Sequence, residues 1–273
     1  MKHEFTVPGP IRAQVRLRNS DLLIAEGDVD TATVLLESSR NTAEFAASTV
    51  VELVGDVLHV QANAPRMFSR DRTRVEITVP AGSGVDVVTG SGEVRCTAPL
   101  GRVAVRTGSG GVLVTQGEDV DVVTGSGTAR LGSVRAGRVH TGSGDVWIGT
   151  VQESLTARTG SGDITVASAR RLETTTGSGD VVVEELDGEA RLRSASGDVT
   201  VRRAVSGRLD TRSTSGDCRV AVTPGTAVHL DCGTVSGRMR SELQETAAPD
   251  PDALTLQLSA RTVSGELVVE RAG

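Results

Sequence analysis

Thr141-Gly142-Ser143-Gly144-Asp145-Val146-Trp147-Ile148 is followed 18 residues on by Thr159-Gly160-Ser161-Gly162-Asp163-Ile164-Thr165-Val166, and 17 further on by Thr176-Gly177-Ser178-Gly179-Asp180-Val181-Val182-Val183. The same signature begins at Thr89, Thr107 and Thr124 and degenerates to Ser194-Ala195-Ser196-Gly197. Three weaker copies follow, Ser213-Thr214-Ser215-Gly216, Thr234-Val235-Ser236-Gly237 and Thr262-Val263-Ser264-Gly265, making ten in all. Through the first seven copies the interval is always 17 or 18 residues. A fixed period of this length marks a repeat architecture.

Alignment of the copies on their first residue exposes apolar files. Five positions after it stand Val94, Val112, Ala129, Val146, Ile164, Val181, Val199, Cys218, Met239 and Leu267; two positions further stand Cys96, Val114, Leu131, Ile148, Val166, Val183, Val201, Val220, Ser241 and Val269. Only Ser241 interrupts these two files. Before the signature, Val105, Val122, Val139, Ala157, Leu192 and Ala260 lie at minus two, and Val103, Val120, Leu155, Leu172, Leu209 and Leu258 at minus four. Each copy therefore reads as two short strands of period two flanking a glycine-rich corner. A third apolar position, about ten residues on, falls at Leu100, Val134, Val151, Ala169, Leu186 and Val205. Intervening positions are polar, with Arg106, His140, Arg158, Arg193 and Arg212 on one strand and Arg95, Arg130, Thr165, Thr200 and Arg219 on the other.

One copy has about five small aliphatics to bury, which stabilises less than ordering some 17 residues of backbone costs. Stacking equivalent residues about 4.8 Å apart removes the deficit, because each copy then covers its neighbour and shares a backbone ladder with it. The expected fold is all-β, a single-chain β-solenoid (β-helix) with 17–18 residues per coil, and the crossover rule favours a right-handed winding. Composition agrees with a narrow aliphatic interior. There are 3 Phe, 1 Trp and no Tyr against 32 Gly in 273 residues. A corner turned in two or three residues needs glycine, either for positive φ or for close backbone approach. Signature Thr and Ser hydroxyls are expected to bond along the stack.

Residues 1–80 are less regular and are expected to form degenerate coils acting as an N-terminal cap. Asn41 followed by Glu44 has capping-box spacing and predicts a short helix over about 42–48. The regular solenoid is expected over 81–273, with an acidic, proline-containing loop insertion near 242–253, the whole being one continuous domain.

Val79-Pro80-Ala81-Gly82-Ser83, the tandem Thr-Gly-Ser-Gly-Asp-Val copies and the late Thr-Val-Ser-Gly copies at Thr234 and Thr262 together resemble the bacterial putative-adhesin β-strand repeat family, most closely its actinobacterial members. That resemblance implies a β-solenoid and an adhesin-like role, and it brings no catalytic residues to carry over.

The net charge of −6 opposes nucleic-acid binding. The first eight residues contain no apolar leader and no run of about 18 apolar residues occurs, so no membrane insertion and a cytoplasmic location are expected. Cys96, Cys218 and Cys232 lack metal-ligand spacing and read as reduced core thiols. No cofactor, metal or catalytic set is expected. The repeated Asp145, Asp163, Asp180, Asp198 and Asp217 stand where a structural capping role, with nearby Arg as counterions, competes with cation binding. A glycosidase pair would be unique in the chain, whereas these acids recur from coil to coil. Trp147 is the odd residue, an aromatic in an outward file, where it would either anchor a partner or a sugar or pack beneath a neighbouring side chain. These residues, with Arg158, form the candidate interaction surface. The expected role is a non-enzymatic scaffold or binding module for a protein or glycan partner; the alternatives are self-association through the solenoid ends and, third, a carbohydrate-active enzyme.

Overall fold

The computed structural model describes residues 1–62, 72–243 and 253–273. The chain is all-β, and the repeats form a β-solenoid of parallel, in-register coils. Two compact units are distinguished, Met1–Gly137 and Arg138–Gly273.

In the first unit the strands are β1 (Lys2–Thr6), β2 (Arg12–Arg16), β3 (Asp21–Glu26), β4 (Thr31–Ser38), β5 (Thr49–Val54), β6 (Val57–Ala62), β7 (Thr73–Val79), β8 (Gly84–Thr89), β9 (Val94–Thr107) and β10 (Val112–Thr124), with helix α1 (Thr42–Ala47) between β4 and β5. β11 (Ala129–Thr141) begins here and ends in the second unit. The coils do not stack in chain order. β2 lies between β6 and β8, and β3 between β7 and β9, all parallel. Leu17-Arg18-Asn19-Ser20 is thus an unrecognised copy of the signature, seated against the Thr89 corner by Gly90 N–H donating to Arg18 O at 2.8 Å. β4 runs antiparallel to β7, β5 antiparallel to β6, and β1 antiparallel to β4. These strands cover the open edges of the β6–β7 coil, which would otherwise invite strand addition.

α1 starts where the sequence predicts. Asn41 Oδ1 accepts from Glu44 N–H at 3.1 Å, and Asn41 Nδ2 donates to Glu44 Oε2 at 3.3 Å. Phe45 and Ala46 are its buried residues.

The second unit holds β12 (Val146–Thr159), β13 (Ile164–Thr176), β14 (Val181–Ser194), β15 (Val199–Ser213), β16 (Cys218–Val222), β17 (Ala227–Thr234), β18 (Met239–Ser241), β19 (Thr255–Thr262) and β20 (Leu267–Arg271). β12 to β15 pair consecutively, with Val146↔Ile164, Ile164↔Val181 and Val181↔Val199 in one file. Register shifts fall between Val151 and Leu155, Ala169 and Arg171, and Leu186 and Asp187. The alternation between 17 and 18 residues is absorbed there, away from the signature corner. The third apolar file continues through fully buried Ala204, which pairs with Leu186 before the shift, rather than through half-buried Val205, the extra residue at the shift itself.

Chain order is broken again near the C-terminus. β19 lies between β15 and β17, and β20 between β16 and β18, so the last coil in sequence is inserted beneath the one that precedes it. The side chains explain the exchange. The inserted coil carries Leu256, Leu258, Ala260, Leu267 and Val269, each 1 % exposed or less. The displaced coil carries Ser241 and Met239, both exposed, and only half-buried Leu230 and Cys232. Covering the more apolar coil on both faces is the lower-energy order. Arg271 clasps the arrangement, its Nη1 donating to Thr223 O at 3.1 Å and Thr226 O at 3.0 Å. Of the insertion expected at 242–253, residues 244–252 lie outside the described residues.

Candidate interaction surface

The signature corner is built by one buried hydroxyl doing two jobs. Thr176 Oγ1 accepts from Gly179 N–H at 3.0 Å within its own coil and donates to Gly162 O of the preceding coil at 3.1 Å. Ser194 and Ser213 repeat both bonds, and Thr159 donates to Gly144 O at 3.3 Å. The pattern Thr-x-x-Gly thus encodes coil closure and coil stacking together. The signature glycines are not at positive φ, which among the described residues occurs only at Gly9, Gly55, Gly82, Gly188, Gly207 and Gly225. They are required by close approach: a Cβ on Gly179 would lie 1.9 Å from Gly162 O, and one on Gly197 2.0 Å from Gly179 O.

Beside that corner runs the carboxylate file. Asp145 Oδ1 accepts from Asp163 N–H at 3.1 Å, Asp163 from Asp180 at 2.9 Å, Asp180 from Asp198 at 2.8 Å, Asp198 from Asp217 at 2.8 Å, and Asp217 from Glu266 at 2.7 Å. Each carboxylate holds the next coil's backbone with one oxygen, an attraction that offsets repulsion between stacked like charges. Sequence reasoning missed that Asp21 does the same for Glu93 N–H at 3.0 Å; the signal was Asp21 standing four residues after Leu17, as Asp145, Asp163, Asp180, Asp198 and Asp217 stand four residues after the first residue of their copies. Counterions for the file were expected from arginine. Arg95 does pair with Glu93, the equivalent residue at the Thr89 corner, at 2.8 Å. Among the described residues, however, no arginine ion pair reaches Asp145, Asp163, Asp180, Asp198 or Asp217: Arg158 goes to Glu173 at 3.3 Å, Arg171 to Glu189 at 3.4 Å, Arg202 to Glu184 at 3.2 Å and Arg203 to Glu185 at 2.8 Å.

Trp147 projects outward from β12 between buried Val146 and Ile148 and is 50 % exposed. In its file lie half-buried Thr165, Val182 and Thr200. Asp145, two residues before it on the same side of the strand, and Asp163, the equivalent residue of the next coil, are exposed. The structure therefore gathers Trp147, Asp145 and Asp163 on one face, with Asp180, Asp198 and Asp217 continuing the file. Arg158 is not brought to them; it belongs to the outward file Arg158, Thr175, Arg193 and Arg212, on the strand segment beyond the bend in β12.

Among the described residues no cluster of three His, Cys, Asp or Glu side chains is placed to hold a metal ion, and no helix is long and apolar enough to cross a membrane. All three cysteines are unpaired. Burial pushes the Cys96 thiol up to about 12 and that of Cys218 up to about 11. Such thiols stay protonated and inert.

No curated protein matches the chain in sequence. Among solved structures it is similar to a putative adhesin from Bacteroides fragilis (13 % identity, 99 % of this chain and 96 % of that one, TM-score 0.40) and to a putative adhesin from Parabacteroides merdae (9 %, 100 % and 96 %, TM-score 0.40). A third, named a putative lipid binding protein, is from Parabacteroides distasonis (13 %, 99 % and 96 %, TM-score 0.40). The Toastrack DUF4097 family model matches residues 14–249 and, again, 166–271, and the chain belongs to that family.

Proposed function

We propose that this protein is a non-catalytic binding module of the adhesin type, a rigid scaffold whose recognition surface is the β12–β13 face around Trp147. The observation that carries the reading is the half-exposed Trp147, the chain's sole tryptophan, on a sheet whose backbone is held in place by the threonine and aspartate ladders. A large ring presented on a preorganised surface loses little entropy when a ligand covers it, which is the usual character of a binding anchor. The ligand is a protein or a glycan. Recurrence of the aspartate through five coils, from Asp145 to Asp217, argues against a unique catalytic pair. The unpaired cysteines support a reducing compartment as the place of work.

Screening the protein and its Trp147→Ala variant against peptide and glycan panels tests the reading. A ligand bound by the parent and weakened at least tenfold by the substitution supports it. Ligands retained equally by the variant, or turnover of a glycan, would overturn it.

A second reading, end-to-end self-association, is favoured by the terminal coil. Among the described residues β17 pairs only with β19 and β18 only with β20, and Val235 and Met239 of that coil are 81 % and 53 % exposed. Light scattering that grows with concentration would support it, and a constant monomer mass would exclude it.

A further inference from the structure

We infer that the Trp147 face takes a cationic partner, an extended segment of another protein bearing lysine or arginine side chains. The inference deepens the proposed function and rests on it. Acidic residues alone do not mark the place, because the aspartate file runs through five coils from Asp145 to Asp217. The ring does. Among the described residues, only in the β12–β13 pair does the file lie beside an exposed aromatic, with Asp145 and Asp163 both exposed next to the ring's strand.

An ammonium or guanidinium over an indole face is attracted by the ring quadrupole, and tryptophan is the best of the aromatics for this. Charge complementarity supplies the rest. Asp145 and Asp163 each commit Oδ1 to a backbone N–H, which fixes the carboxylate plane and leaves Oδ2 available to a ligand. The ion pairs among the described residues leave this file untouched, while Glu173, Glu184, Glu185 and Glu189 already have arginine partners. The protein's net charge of −6 adds long-range attraction for a basic chain.

Because Trp147 is the only tryptophan and there is no tyrosine, its emission reports the face directly. The experiment titrates the full chain with a hexalysine peptide and, separately, with a neutral hexasaccharide. The expected result is a saturable change of emission with the peptide, weakened at least fivefold by Asp163→Asn and strongly reduced by raised salt. Asparagine keeps an Oδ1 acceptor for Asp180 N–H, so the ladder persists while the charge goes; Asp145→Asn, which keeps the acceptor for Asp163 N–H, is the second variant should the first misfold. Anisotropy of a labelled peptide measures Trp147→Ala, where a fivefold or greater loss is expected. Response to the saccharide with a silent peptide would overturn the cationic inference and leave the binding face standing. Silence with both probes, or peptide binding indifferent to Trp147→Ala, would overturn both. Peptide affinity unchanged by Asp163→Asn and Asp145→Asn would overturn the inference alone.

Discussion

Gly179→Ala is the sharpest test of the corner geometry, since its backbone would tolerate alanine and only the neighbouring coil forbids it. The new Cβ would fall 1.9 Å from Gly162 O, 2.5 Å from Gly162 C and 3.0 Å from Asp163 N, all backbone atoms that cannot swing aside. Ordinary contact needs more than about 3.2 Å, so the two coils must part locally by roughly 1.3 Å. That separation breaks Thr176 Oγ1 to Gly162 O (3.1 Å), Asp180 N–H to Asp163 Oδ1 (2.9 Å) and Gly177 N–H to Gly160 O (3.1 Å). Three bonds at about 1 kcal/mol each, plus about 1–3 kcal/mol for a buried carbonyl left bare, give a loss of roughly 4–6 kcal/mol. Gly225→Ala is the control: its φ of +85° imposes strain, yet nothing lies within 4 Å of the added carbon. Backbone strain of this kind costs about 1–2 kcal/mol. Urea denaturation followed by far-ultraviolet circular dichroism measures both. A loss under about 1 kcal/mol for Gly179→Ala, or a larger loss for Gly225→Ala, would refute stacking as the reason for the signature glycine.

Asp180→Asn should lie within about 0.5 kcal/mol of the parent in the same assay, whereas Val181→Asp, which places a carboxylate in a fully buried site, should cost about 4 kcal/mol or more; the reverse ranking would refute the inward and outward assignment. Thr174 Oγ1 is buried without a partner, so Thr174→Val should stabilise by about 1 kcal/mol, and destabilisation would show that the hydroxyl is satisfied. Hydrogen exchange should protect β19–β20 more than β17–β18, against sequence order, because the former is paired on both sides; equal or inverted protection would contradict the inserted coil. Thiol titration at pH 8 should label Cys232, which is half-buried in the terminal coil, before Cys218 and Cys96. Burial raises all three thiols, Cys232 included, but it carries Cys218 to about 11 and Cys96 to about 12, so at that pH neither of these offers thiolate until the protein unfolds.

Much of the solenoid was legible because stacking makes each coil's environment the same, so one set of constraints is written ten times. The apolar files, the polar files and the short helix behind Asn41 all follow from local spacing. The glycine requirement was legible only as a choice between positive φ and close approach, since both select the same residue. The Leu17 copy is not legible as one because it lacks Thr and Gly, and Val205 mimics the third apolar file because it is the extra residue where a bulge follows the Leu186–Ala204 pair. Trp147 could be placed outward by parity, but its company of Asp145 and Asp163 depends on the register between coils.

The sequence by itself determined the unit of this protein: a 17–18-residue coil with an aliphatic interior, a hydroxyl-and-glycine corner and an outward carboxylate, because side-chain period and burial are local matters. Tertiary structure alone decided which coil touches which. Near-identical coils offer nearly identical ladders, so neighbours are chosen by small differences in apolar cover. That is why β19–β20 sits inside its stack while β17–β18, which precedes it in the chain, takes the end.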